Sequence, residues 1–402
     1  MKRLWSLALC ALAFFVPASW ASAQVRYSVK TTGDVVQLRD NGTDTTISVL
    51  TPVNNAYEMV VKGQNVIRMA VKNVDEMRAR PGLNGVPFLA PWANRLDELG
   101  FYANGKKYNF DMDLGNVRGP VPSQGFLSGA NAWKVVEAKA DANGAWLTSK
   151  LEFYKYPQYM AQWPFAHTIT MTYRLSNGVM EVRTRIDNLA NEPMPVVIGF
   201  HPYFQLTDSG RNDWTLSVPA KVHWLLDQRV IPTGETEPST KFWGVDDLTR
   251  IPLSLKAGQR LDDVFTDFTR DAQGRAVVSM SGVKQKVAVT LGPKIKTVLV
   301  YSTAAPPPPN APAQGGPPPA AAGAAPRPVL AAPPPVSVGP PIPFSATKGE
   351  PAPPERGFIA FEPMVAITNA LNAAQKGQYK ELQTVAPGAF WEESFWVTPT
   401  GF

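Results

Sequence analysis

Phe165-Ala166-His167-Thr168-Ile169-Thr170-Met171-Thr172-Tyr173-Arg174-Leu175 alternates with a period of two. Its odd positions are mostly apolar and its even positions are mainly Thr and Arg, the pattern of a half-buried strand. Glu181–Asp187, Pro195–Phe200, Lys286–Leu291, Thr297–Tyr301, Phe358–Glu362 and Ser394–Thr398 read as further short strands. Asn104-Gly105 and Asn177-Gly178 mark hairpin turns between such runs, because both residues of a tight turn need positive φ. Helical periodicity is scarce, and Ala370–Leu382 is its best candidate. The chain therefore reads as all-β, of the sandwich class, with many strands in one large domain.

The 402 residues carry 39 Lys+Arg against 33 Asp+Glu, a formal charge of +6, with no basic run that would mark a nucleic-acid surface. Hydrophobic residues at 44 % suffice for a large core. The single cysteine, Cys10, excludes a disulfide framework, and three histidines (His167, His201, His223) leave little for a metal cluster. No phosphate-binding glycine loop, His-Glu-x-x-His helix or Gly-x-Ser-x-Gly elbow is present. Neither a metal nor a cofactor is expected.

Residues 1–23 read as a secretory signal peptide. Lys2-Arg3 is followed by the apolar stretch Leu4 to Trp20 and by Ala21-Ser22-Ala23 before Gln24. The mature chain is expected to be periplasmic or secreted, without a membrane span and as a monomer. It would be one domain over residues 24–402, interrupted by a Pro/Ala-rich insertion at 305–356. The segment Pro306–Pro354 holds 19 of the 39 prolines, which cannot join a sheet ladder, and has few side chains to bury. It lies between two strand-like runs, so it is expected as an insertion in a sheet loop, tolerated because closure entropy grows slowly with length. Its two readings are an inert, tolerated insertion and an arm or spacer that contacts an unidentified partner.

Two segments concentrate polar chemistry. Gly199-Phe200-His201-Pro202-Tyr203-Phe204 ends an apolar strand, and Phe361-Glu362-Pro363-Met364 places a carboxylate within another. An unpaired buried glutamate is costly, which makes Glu362 a candidate for function. His167 falls on the apolar parity of its strand and reads as a core histidine, and His223 as a strand or surface residue. Trp92, Tyr203 and Phe204 read as packing aromatics first, and as sugar-stacking rings second.

Together these segments resemble the aldose 1-epimerase (galactose mutarotase) family. Gly85-Val86-Pro87-Phe88-Leu89-Ala90-Pro91-Trp92-Ala93-Asn94-Arg95 is similar to its sugar-binding arginine segment, and the stretch around His201 to its catalytic-histidine strand. Leu261-Asp262-Asp263-Val264-Phe265 resembles its aspartate segment, and Phe361-Glu362-Pro363-Met364 with Thr368-Asn369-Ala370 its catalytic-glutamate segment. Trp163-Pro164-Phe165, leading into the strand first quoted, also fits. The resemblance spans residues 27–304 and 357–402. It implies a large β-supersandwich that interconverts the α and β anomers of a free sugar by acid–base ring opening. By resemblance Glu362 is the base and His201 the acid, on opposite sides of the sugar ring. Arg95 and Asp262 hold sugar hydroxyls, and Asp263 is a solvated neighbour.

The family usually has a second histidine where this chain has Gln124, in Ser123-Gln124-Gly125-Phe126-Leu127. Glutamine can hydrogen-bond a sugar but cannot become a cation, so Gln124 is expected as a substrate contact with the acid role resting on His201. The alternatives are a catalytically weak carbohydrate-binding protein, a hexose-6-phosphate 1-epimerase, or a glycoside hydrolase using Glu362 with Asp262. Export and the lack of an evident Arg/Lys cluster near the motifs speak against the phosphate reading.

Overall fold

The computed structural model describes residues 25–303 and 357–402. The expected signal peptide and the whole of the proline-rich insertion lie outside them. The described chain is built mainly of antiparallel strands in two large sheets, with smaller ones around them. A nine-stranded sheet runs in the order Ile251–Pro252, Thr215–Ser217, Ala276–Ser281, Lys286–Leu291, Phe390–Thr400, Val179–Asn188, His167–Ser176, Gly144–Leu151, Lys134–Asp141. An eight-stranded sheet carries Pro232–Pro238, Ala220–Leu226, Leu261–Phe268, Thr297–Ser302, Ile359–Met364, Gly199–Phe200 and Phe88–Leu89 in that order. Its eighth strand, Tyr203–Phe204, pairs with Ile359–Met364. The sheets meet through their apolar faces, where the rings of Phe200 and Phe395 lie 4.9 Å apart.

The strand quoted first forms over His167–Ser176 and is more buried than simple alternation implies. Thr168 and Thr172 are buried as well, because the strand is paired on both edges and covered by neighbouring chain. Its hairpin to Val179–Asn188 turns at Asn177-Gly178, with φ of 51° and 72°, the left-handed pair that this dipeptide favours. Asn104-Gly105 does the same between Gly100–Ala103 and Lys106–Asn109.

Two expectations need correction. Pro195–Phe200 is not one strand: Met194–Val196 pairs with Gln383–Val385, whereas Gly199–Phe200 joins the eight-stranded sheet. The chain changes partner between them, a distinction invisible in a uniformly apolar run. The helix at Ala370 ends at Gln375, because Gly377 adopts φ +74° and turns the chain away. His167 is a core histidine. Its ring stacks on Phe153 at 4.1 Å and its Nδ1–H donates to the Phe165 carbonyl at 2.7 Å. Burial pushes its pKa down to about 4, so it stays neutral near pH 7.

The strands flanking the proline tract, Thr297–Ser302 and Ile359–Met364, pair antiparallel with Tyr301 opposite Ala360. Their open ends therefore lie side by side, so a short linker can close them. Replacing Pro306–Pro354 by a Gly/Ser turn is expected to leave cooperative thermal unfolding intact. A deletion variant that melts without a cooperative transition would show that the tract packs on the core.

Candidate active site

Sheet register places the site. Asp262 stands opposite Tyr301, Tyr301 opposite Ala360, and Ala360 opposite Tyr203. Directly opposed residues share a face, and so does the residue two further along a strand. Asp262, Tyr301, Tyr203 and Glu362 thus project from one face of the eight-stranded sheet. His201 follows Gly199–Phe200, the strand on the other edge of Ile359–Met364. Gly199 permits that approach: a Cβ there would lie 2.8 Å from Met364 Cγ and 2.9 Å from Ala93 Cβ.

Glu362 and His201 touch, with His201 Nε2 2.8 Å from Glu362 Oε1 and both side chains almost wholly buried. The Tyr203 ring stacks on the imidazole at 4.5 Å, and its hydroxyl lies 3.4 Å from Nε2. Burial raises the Glu362 pKa above the usual carboxylate range, although His201 and Arg95 pull in the other direction. Burial likewise holds the Tyr203 hydroxyl well above its ordinary pKa, keeping it neutral. Glu362 Oε2 and His201 Nδ1 have no hydrogen-bond partner among the described residues. Buried polar atoms without partners are rare, and at this pair they mark where a polar ligand would bond.

The acid and base were expected across the ring from each other, but here they are adjacent. Adjacency suits the chemistry better, because the anomeric oxygen and the ring oxygen of a pyranose are bonded to the same carbon.

Arg95 reaches the face from the loop after Phe88–Leu89. It grips Asp262 with both terminal nitrogens, at 2.9 and 3.3 Å, and donates to Asn94 Oδ1 at 3.0 Å. The loop is fixed from two directions. Asn94, at φ +54°, has its N–H bonded to Gln124 Oε1 at 2.9 Å, and its carbonyl accepts the Gln124 N–H at 2.8 Å. Asn369 donates its N–H to the Arg95 carbonyl and accepts the Asp97 N–H on its side chain. Gly125 is required beside Gln124, since a Cβ would come within 2.0 Å of the Ala90 carbonyl oxygen. The Gln124 side-chain oxygen thus holds the arginine loop, and its side-chain N–H groups are the donors it can turn toward a sugar.

Sequence reasoning missed Arg260, whose guanidinium adds a 2.7 Å bond to Asp262 Oδ2 and lies 5.3 Å from the centre of the Tyr301 ring. It also missed Tyr301, whose place beside Asp262 depends on a strand pairing that local sequence does not show. Arg68 is a third omission. Its guanidinium lies 5.0 Å from the centre of the Phe358 ring, and Phe358 packs against both Tyr203 and Tyr301. The expected lack of basic residues near the motifs is therefore corrected: Arg260 immediately precedes the Leu261–Phe265 segment and bonds Asp262 two residues on, and Arg68 joins the aromatic cluster from a segment distant in sequence.

The remaining candidates have structural places. Asp263, on the opposite parity, accepts from the Asp262 N–H at 3.0 Å and lies 3.2 Å from His223 Nε2. It is a bonded neighbour, not a solvated one. His223 is buried between Asp263 and Glu237. Trp92 is core, stacked on Phe110 at 4.8 Å, and Phe204 is fully buried. Among the described residues no group of three or more His, Cys, Asp or Glu is arranged to hold a metal.

The family model for aldose 1-epimerase matches residues 57–310, and the chain belongs to that family. The match takes in Arg95, Gln124, His201 and Asp262 and ends within the proline tract, ahead of Glu362. Solved structures share the fold at low identity. A galactose mutarotase-like protein from Clostridium acetobutylicum has a TM-score of 0.67 at 16 % identity, over 94 % of this chain and 98 % of that one. Galactose 1-epimerase from Lactobacillus acidophilus has a TM-score of 0.63 at 14 % identity, over 94 % and 98 %. A protein from Synechocystis sp. PCC 6803 has a TM-score of 0.61 at 20 % identity, over 94 % and 100 %. The fold is the galactose mutarotase-like β-sandwich.

Proposed function

We propose that this chain is an exported aldose 1-epimerase that interconverts the α and β anomers of a free aldose, with Glu362 as base and His201 as acid. The observation that carries the reading is the buried 2.8 Å contact between them, with one unpartnered polar atom on each side chain. Glu362 takes the proton from the anomeric hydroxyl. His201 delivers a proton to the ring oxygen as the bond between that oxygen and the anomeric carbon breaks. Rotation about C1–C2 exposes the other face of the open-chain aldehyde, and closure with the proton transfers reversed gives the other anomer. A raised Glu362 pKa makes it a stronger base than a solvated carboxylate, nearer the optimum for transfer at neutral pH. Arg95, Asp262 and an amide N–H of Gln124 orient the sugar hydroxyls, lowering the entropy cost of alignment.

The hydrolase alternative loses ground. Both oxygens of Asp262 are held by arginines, which leaves it poorly disposed to attack an anomeric carbon or activate water. Polarimetry with freshly dissolved single anomers is expected to show equilibration faster than in buffer alone. Release of new reducing ends from a glycan, without anomer equilibration, would overturn the assignment.

Export rests on the basic, apolar and small-residue succession of residues 1–23. Sequencing of the mature protein from the extracytoplasmic fraction is expected to begin at Gln24. A first residue of Met1, or a lipid on Cys10, would contradict it.

A further inference from the structure

Asp262 is held from behind as well as from the cleft. Arg95 and Arg260 grip its carboxylate, which leaves its backbone to be fixed separately. On the flank away from Thr297–Ser302, strand pairing does not reach it. The register between Ala220–Leu226 and Leu261–Phe268 ends at Trp224 opposite Val264, two residues short of Asp262. The Asp262 N–H donates instead to Asp263 Oδ2 at 3.0 Å. Asp263, on the reverse face of the sheet, turns its other oxygen to His223 Nε2 at 3.2 Å. His223 Nδ1 lies 3.0 Å from Glu237 Oε1, and Lys241 Nζ closes the chain 2.9 Å from Glu237 Oε2.

This arrangement decides the form of His223. Carboxylate oxygens only accept hydrogen bonds, so a ring with one at each nitrogen must donate from both, which is the imidazolium form. The side chain is 6 % exposed, and its ring lies against Phe242 and Phe265, at 4.0 and 5.2 Å between centroids. That leaves little room for water to replace a lost partner. The carboxylates facing the ring are Glu237 and Asp263, from the strands on its two sides. The basic groups beyond them are Lys241, on Glu237, and Lys256, whose ammonium lies 4.1 Å from the centre of the Phe242 ring. Removing one proton from His223 would set a lone pair against a carboxylate in a buried place, where an unmatched polar contact is costly.

We propose that His223 is a positioning residue: its imidazolium ties Glu237 to Asp263, and Asp263 holds the Asp262 backbone where the Asp262 carboxylate and its two arginines meet the sugar. The link to sugar binding rests on the anomerase reading; the tether itself does not. Loss of the His223 proton repels Asp263, frees the Asp262 N–H and lowers sugar affinity, so binding weakens as pH rises. The effect falls on affinity more than on turnover, because neither Glu362 nor His201 belongs to this chain of bonds.

The test follows one backbone amide and one affinity across pH. In protein carrying nitrogen-labelled aspartate, the Asp262 amide resonance is expected to shift with the titration of the His223 ring, with no sugar present. Affinity for galactose and glucose, by calorimetric titration, should fall about tenfold over the same range, with kcat changed less. Asp263→Asn is the control to which a merely structural role would not respond. An asparagine amide can donate to a neutral Nε2 while its oxygen still accepts the Asp262 N–H, so the chain of bonds survives without the charge. This variant should hold its affinity through the pH range where the unaltered protein loses it, whereas His201→Asn should lose it as the unaltered protein does. An Asp262 amide indifferent to His223, or an affinity that falls equally in Asp263→Asn, would overturn the proposal and leave the anomerase reading standing. An amide that follows His223 in a protein that neither binds nor exchanges any sugar would sink the anomerase reading while supporting the tether. The amide shift is read on the unaltered protein, so the test does not depend on a variant folding.

Discussion

Glu362→Gln should slow anomer exchange by about 100-fold or more, since a positioned general base typically contributes ~10²–10⁴. The amide keeps the size and an oxygen toward His201 Nε2 but cannot take the anomeric proton. Sugar affinity should change far less, because the lost interaction belongs to proton transfer and not to ground-state binding. His201→Asn should produce a loss of similar size. The double variant should fall well short of the product of the two, because the side chains are in contact and act as a unit. The pH profile supplies a second readout. Activity requires ionised Glu362, so it should decline as pH falls through a pKa displaced upward by burial, above the range of a solvated carboxylate. That acid limb should vanish in Glu362→Gln. Full exchange activity in this variant would remove the mechanism whatever the fold.

Arg95→Ala is expected to lower both affinity and rate. The guanidinium makes two bonds to Asp262 and one to Asn94, so its loss frees the aspartate to turn toward Arg260 alone and slackens the loop. Hydrogen bonds to charged groups are worth about 1.5–3 kcal/mol, which sets an expected loss of roughly 10- to 100-fold in sugar affinity, with a further loss in kcat from misalignment. Arg95→Lys should rescue little, because one ammonium cannot span both carboxylate oxygens. Affinity is read by titration of the sugar anomeric resonances. An unchanged affinity would show that Arg95 supports the loop without touching substrate.

Much of the fold was legible because period-two alternation and Asn-Gly turns are local signals. The strand at 167–176 and its hairpin to 179–188 follow from neighbours within a few residues. The split between Met194–Val196 and Gly199–Phe200 was not legible, since an apolar run looks the same whichever sheet it enters. The site divides along the same line. His201 and Glu362 stand out as polar groups in apolar strands, and Arg95 and Asp262 through the family resemblance. Tyr301 gains meaning only from the register that sets it opposite Asp262, whereas Arg260, two residues before Asp262, was within reach of a local reading. Arg68 gains it only from the aromatic cluster joining three strands. Gln124 was visible as a departure, but its bonds to Asn94 were not, because they depend on a left-handed φ of +65° that brings two loops together.

Magnetisation-exchange NMR on an equilibrated aldose mixture, neutral and anionic sugars in turn, tests the central claim most directly. It reads conversion between anomeric protons without any coupled reaction. The account predicts exchange cross-peaks between the α and β anomeric protons of at least one free aldose, growing in proportion to protein concentration above the buffer rate. Line broadening that reports sugar binding, with no exchange beyond buffer for any aldose, would contradict it and leave a carbohydrate-binding protein in its place.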